Sequence, residues 1–170
     1  LNVLGSTVAG DIKVMFNDSC FTVNNTQFKM SARLIEGRYP NYDSVIPKDN
    51  NRIVTIAKND FVSALKRVLP MGNANSELVT LSFSIGMMTI SADDFDFSKS
   101  ASENVGCDYA QDEFTIGFKG STLLQLLQNI DTDNVKVMLK EPNRSGVICE
   151  DKPNGVYEYT SLIMPMLIQN

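Results

Sequence analysis

The chain has 170 residues, of which 43% are hydrophobic, with a net charge of −5 and no histidine. Mean hydropathy near zero and no apolar run of the ~20 residues a membrane helix needs exclude a helical span and fit a globular core. A sequence pI near 4.7 argues against wholesale nucleic-acid binding, unless basic residues gather on one surface.

In chain order, Leu1, Val3 and Leu4 read as the tail of a helix, and strands are predicted over 11–16, 20–24 and 28–35. A polar connector follows over 36–51 (EGRYPNYDSVIPKDNN). Its Pro40 and Pro47 predict an ordered, extended linker, with Tyr39, Tyr42, Val45 and Ile46 pinning it to a domain surface.

A repeat then begins. Residues 52–56 alternate as a strand, and 59–69 show helical spacing with Phe61, Ala64, Leu65 and Val68 on one face. Pro70 and Gly72 end that helix, and strands are predicted over 78–83, 87–91 and 95–98, followed by a polar loop over 98–112. The pattern returns with a strand over 114–118 and a helix capped by Ser121 that carries Leu123, Leu126, Leu127 and Ile130. Strands over 135–139, 146–150 and 156–163 complete the second copy. The architecture expected is α+β, a β-α-β-β-β unit repeated inside one domain, with a partial copy in front. A chain that starts inside such a unit is expected to be a fragment.

Candidate chemistry is sparse. Without histidine the commonest general base and transition-metal ligand are missing. Asp93, Asp94 and Asp96 form a DD-x-D cluster. It reads as a divalent-metal site, even a nuclease centre, or as the charged face of a strand whose other face carries Phe95 and Phe97. GFKGST (117–122) joins a strand to a helix without phosphate-loop spacing, so it reads as a turn. Cys20, Cys107 and Cys149 have no metal-like spacing and read as reduced cytosolic thiols. N-x-[ST] triplets at Asn17, Asn24 and Asn143 carry no further signal. Lys66 and Arg67 lie opposite the first helix's apolar face, either as a solvated exterior or as a basic patch. The apolar run SLIMPMLI (161–168) is core filler or the lining of a hydrophobic peptide groove.

Two stretches narrow these alternatives. RLIEGRYPNYDSVIP (33–47) and YTSLIMPMLI (159–168) resemble two signature blocks of the bacterial β sliding clamp family, the processivity subunit of replicative DNA polymerase III. The resemblance implies the DNA-clamp fold, with helices on the inner face of a ring closed by a head-to-tail homodimer around duplex DNA. It places 1–47 in the second half of a middle domain plus its connector, and 48–170 in a C-terminal domain. It implies a non-catalytic protein of the bacterial cytoplasm without cofactor, metal or membrane. Its partners would be duplex DNA, the polymerase III catalytic subunit, the clamp loader and other proteins carrying a clamp-binding motif. A peptide-binding module with no role on DNA is the alternative.

By the same resemblance, Pro40, Ser44, Val45, Thr122, Leu162, Met164, Pro165, Met166, Leu167 and Ile168 line a groove for client peptides. Lys66, Arg67, Lys119, Gln125 and Gln128 face DNA, and Leu69, Asp93, Asp94, Phe95, Asp96 and Phe97 form the dimer edge. There are two departures: Leu167 stands where a basic residue is common, and the chain runs two residues past the usual end. The middle domain's share of the groove matches nothing in these residues.

Overall fold

The computed structural model describes residues 11–152 and 158–168. The expected helix tail at Leu1, Val3 and Leu4, and residues 156 and 157 of the last predicted strand, lie outside the described residues. The chain divides into two compact units between Asn41 and Tyr42, earlier than the boundary expected after Pro47.

The first unit is an antiparallel meander of β1 (Lys13–Phe16), β2 (Cys20–Asn24) and β3 (Lys29–Arg33). One device makes both of its turns. Asn17 Oδ1 accepts from the backbone N–H of Ser19 and Cys20 at 3.0 and 2.8 Å, and Asn25 Oδ1 from those of Gln27 and Phe28 at 2.8 and 2.9 Å. An asparagine that bonds its own backbone two or three residues on sets the reversal, which in turn fixes the strand register.

The second unit opens with a short 3₁₀ turn, Tyr42–Ser44, so the connector is not extended throughout. Tyr39, Tyr42 and Val45 are exposed, and only Ile46 of the four expected anchors is half-buried. Then come β4 (Arg52–Ala57), α1 (Lys58–Val68), β5 (Leu78–Ser84), β6 (Met87–Asp94) and β7 (Lys99–Asp108). The pattern repeats as β8 (Phe114–Lys119), α2 (Gly120–Gln128), β9 (Asn134–Leu139), β10 (Gly146–Glu150) and β11 (Thr160–Ile163).

These eight strands form one sheet in the order β11-β10-β9-β4-β7-β6-β5-β8. A bridge from Gly117 of β8 to Met166, just past β11, joins its two ends into a closed circuit. The pairing is two-fold symmetric. β4 lies antiparallel to β9 with Ala57 opposite Asn134, and β8 lies antiparallel to β5 with Lys119 opposite Leu78. Each helix enters through the same bond, Lys58 N–H to Asp133 O at 2.8 Å and Gly120 N–H to Glu77 O at 2.7 Å.

The helices pack on each other and on the sheet. α1 buries Phe61, Ala64, Leu65 and Val68, spaced as one helical stripe. α2 buries Leu123 and Leu127, Ile130 follows just beyond its end, and Leu126 is half-buried. Alternate residues of β4, β5, β6, β8 and β9 face them, and each fully buried Leu or Phe contributes about 1.5–3 kcal/mol. Lys58 Nζ donates to Ile130 O at 2.8 Å, so a cation of the first half closes the C-terminal end of the second half's helix.

Three expectations are corrected. Residues 95–98 are the turn between β6 and β7, not a strand. Residues 99–108 of the expected loop are the ten-residue strand β7. Ser121 lies inside α2 and caps nothing: Lys119 occupies the N-cap position without a side-chain bond, and Ser121 Oγ donates instead to Glu77 Oε2 at 2.5 Å.

Candidate functional site

The C-terminal tail carries the most distinctive geometry. β11 pairs with β10 as far as Ile163 opposite Gly146. Pro165 has no N–H to continue a ladder, and pairing resumes one residue later, where Met166 N–H donates to Gly117 O at 2.8 Å. The tail fits there because residue 117 is glycine. A β-carbon on it would lie 2.9 Å from both Leu78 Cδ1 and Met166 O and 3.0 Å from Ile168 Cγ1. Only the bare backbone lets the tail lie this close.

The tail leaves two of its side chains in solvent. Pro165, Met166 and Ile168 are half-buried, whereas Met164 and Leu167 are 66% and 85% exposed. Leu162 is half-buried on β11, and Thr122 is exposed on the first turn of α2. Ser44 and Val45 are exposed at the 3₁₀ turn, and Pro40 is exposed in the first unit. Two large apolar side chains in solvent beside half-buried neighbours make a surface suited to an apolar ligand.

Both helices turn polar residues outward. Lys66 and Arg67 are exposed on α1, Gln125 and Gln128 on α2, and Lys119 stands at the end of β8. Two of the three cations are already paired. Arg67 donates through Nε and Nη2 to the two carboxylate oxygens of Glu103 on β7, each at 2.5 Å. Lys119 Nζ lies 3.3 Å from Glu77 Oε2. The hydrogen bonds from Arg67 hold the Glu103 carboxyl below its ordinary range, and the bond from Ser121, then that from Lys119, does so for Glu77. Lys66 makes no ion pair or hydrogen bond among the described residues.

The expected dimer edge takes a different form. Asp93 and Asp94 end β6, where they pair with β7 while the ladder to β5 stops at Ser91, and residues 95–97 belong to the turn that follows. Asp94 is only 4% exposed, and its Oδ1 accepts from the Phe97 N–H at 3.4 Å. Phe95 and Phe97 are 86% and 72% exposed, the reverse of a strand with charges outward, and Lys99 Nζ sits 5.1 Å above the Phe97 ring. Leu69 is half-buried in the 3₁₀ turn after α1. The free-sided backbone belongs to β7. It pairs with β6 from Lys99 to Gly106 and with β4 only at Cys107 and Asp108. With Asp94 turned inward, the three aspartates do not converge, and no cluster able to hold a metal ion occurs among the described residues.

Glu103 and Gly117 were not singled out from the sequence. Their partners lie 36 residues away along the chain or across the closure, where no local pattern reaches. The paired glycines of GFKGST were the one available signal. A β-carbon on Gly120 would lie 2.5 Å from Leu69 Cδ1, so both glycines serve close packing.

Solved structures similar to this one include sliding clamps. A Bartonella birtlesii sliding clamp, solved with griselimycin bound, superposes with a TM-score of 0.85 at 24% identity, covering 98% of this chain and 44% of that one. A Caulobacter crescentus clamp gives 0.83 at 23% identity, over 94% of this chain and 42% of its own. A closed circuit of strands over two helices, related by a pseudo-two-fold, is the DNA-clamp fold.

The family model for the C-terminal domain of the DNA polymerase III beta subunit matches residues 43–167, and the chain belongs to that family. The beta sliding clamp of Pseudomonas aeruginosa is 25% identical over 158 residues, 92% of this chain. The chain spans about 42% of that relative's length.

Proposed function

We propose that this chain serves a ring-shaped sliding clamp, a non-catalytic processivity factor of the bacterial replicative polymerase. Residues 1–47 act as the second half of a middle domain with its connector, and 48–170 as the C-terminal domain. The observation that carries the reading is the pseudo-two-fold pair of helices, which places a polar face on one side of a closed sheet. Repeated around a ring, such faces surround duplex DNA without reading sequence, because phosphates are its only regular feature. Lys66, Arg67, Lys119, Gln125 and Gln128 form this chain's share of that wall.

Client proteins of the replication machinery, including the polymerase catalytic subunit and the clamp loader, dock through linear motifs on Thr122 and the tail from Leu162 to Ile168, with Ser44 and Val45 contributing. Exposed Met164 and Leu167 support this role, as flexible apolar side chains adapt to different peptides. The edge contact with a second subunit uses Leu69, exposed Asp93 and Asp96, and the Phe95 and Phe97 turn, with Asp94 shaping that turn from inside. The working compartment is the bacterial cytoplasm.

The test is topological. The full-length protein, loaded onto nicked circular DNA, should stay bound through gel filtration and be released when the circle is linearised. Equal loss from circular and linear DNA would refute the clamp. Peptide binding that survived such a result would identify a binding module without a role on DNA.

A further inference from the structure

We propose that Glu103 is a built-in phosphate mimic that holds Arg67 away from DNA, so that the wall's attraction for the duplex is tuned down by its own carboxylates. The inference rests on the proposed DNA-facing role of the helices and adds a control residue to it. The fork geometry is the observation. Both carboxylate oxygens of Glu103 take up Nε and Nη2 of Arg67, the pair of donors that would otherwise clasp two oxygens of one phosphate. A phosphate must displace the carboxylate to take this bidentate site, so the exchange trades one bidentate pair for another.

At the start of α2, Glu77 likewise pairs with a cation, through one contact to Lys119 at the end of β8, and accepts from Ser121. Lys66 is the exposed helix cation without an ion-pair partner among the described residues. A surface that must slide gains from this design. Strong fixed contacts would hold the duplex at one register, whereas contacts in exchange with internal carboxylates move with little net change in energy.

The experiment measures binding of this chain to a mixed-sequence duplex by fluorescence anisotropy, from low salt upward. Glu103→Gln should tighten binding about two- to fivefold at low salt, the scale of one exposed ion pair. It should also steepen the slope of log affinity against log salt by about 0.9, the increment for one additional neutralised phosphate. Both effects should vanish when Arg67→Ala is added. Glu113→Gln, a charge-matched change on the β7–β8 loop, should reproduce neither. If Lys66→Ala weakens binding while Glu103→Gln leaves it unchanged, or tightens it equally without Arg67, the mimic is refuted and the DNA-facing wall stands. If neither Lys66→Ala nor Glu103→Gln alters affinity, the wall reading fails and the mimic with it.

Discussion

The two halves of the second unit share one topology and finish differently. In the first half β7 runs unbroken from its pairing with β6 to its pairing with β4, ending at Asp108 opposite Thr55. In the second half the ladder stops at Ile163, skips Pro165 and, among the described residues, pairs with β8 through one bridge, Met166 opposite Gly117. The residues that follow these equivalent bridges diverge. Tyr109 turns inward at 3% exposure, packs on Phe83 with ring centroids 5.6 Å apart, and donates its hydroxyl to Asp112 O at 2.7 Å. Leu167 stays 85% exposed. A complete ladder and an inward aromatic seal one seam. A proline and a glycine leave the other held by a single bridge, with apolar side chains facing outward. The proposed binding surface thus lies where the repeat's closure is interrupted.

That contrast breaks most sharply by deletion of the two closing side chains. Tyr109→Ala removes a buried ring whose hydroxyl also accepts the Arg52 guanidinium hydrogen bond at 2.9 Å, and should cost about 3–5 kcal/mol in chemical denaturation. Leu167→Ala should change stability by less than about 0.5 kcal/mol, as expected of an exposed position. Equal losses at the two sites would mean that the tail seals the fold as β7 does.

The next effect tests the glycine. Gly117→Ala places a methyl 2.9 Å from Leu78 Cδ1 and Met166 O, forcing either the tail or the β5 side chain to move. We expect a loss of about 1–3 kcal/mol, typical of overpacking. Hydrogen exchange should speed at the Met166 amide and stay slow at Ile56, within the first half's seam. Unchanged protection at Met166 would show that the tail does not depend on the bare backbone.

How far the sequence foretold this arrangement depended on the kind of residue that carried it. Strands β4, β5, β8, β9 and β10 and both helices were legible because large apolar side chains recur at the period of each element. β7 was not legible. Its inward positions are Ala101, Glu103, Val105 and Cys107, mostly small or polar, and its strand character comes from the ladder with β6. The Phe-Asp-Phe alternation over 95–97 misled for the opposite reason. A turn shows the same alternation, and there Asp94 turns inward to bond the backbone. The tail and connector were legible as motifs, and Pro165 as a break in pairing. The contact of Gly117 under the tail and that of Glu103 on Arg67 are tertiary and leave no local signature.

Peptide binding sharpens the comparison at smaller structural cost. Met164→Ala alters a side chain 66% exposed in the free protein, so stability should be unchanged within about 0.5 kcal/mol. Affinity for a client-motif peptide of the polymerase catalytic subunit should fall about ten- to hundredfold by calorimetry on the full-length protein, because the side chain becomes buried only on binding. Met166→Ala should lower both affinity and stability, since Met166 belongs to the bridge as well as to the surface. Normal peptide affinity in both variants would remove the tail from the groove.

The smallest effect separates the halves by pH. Glu103 ties β7 to α1 through Arg67, while the equivalent place on β11, across from Ile148 as Glu103 is across from Ile90, is Ser161. The bonds from Arg67 lower the Glu103 pKa in the folded protein. The ionised, folded form is therefore favoured above the ordinary glutamate value of about 4.3, and that stabilisation is lost as pH falls through the lower folded pKa. Acidification from neutral pH to below about 4 should speed amide exchange along β7 more than along β11. Because the pair is exposed, high salt should shrink the difference. Glu103→Gln should abolish it. If β7 and β11 lose protection together at acid pH, in wild type and variant alike, the Arg67–Glu103 fork does not anchor the first half's seam.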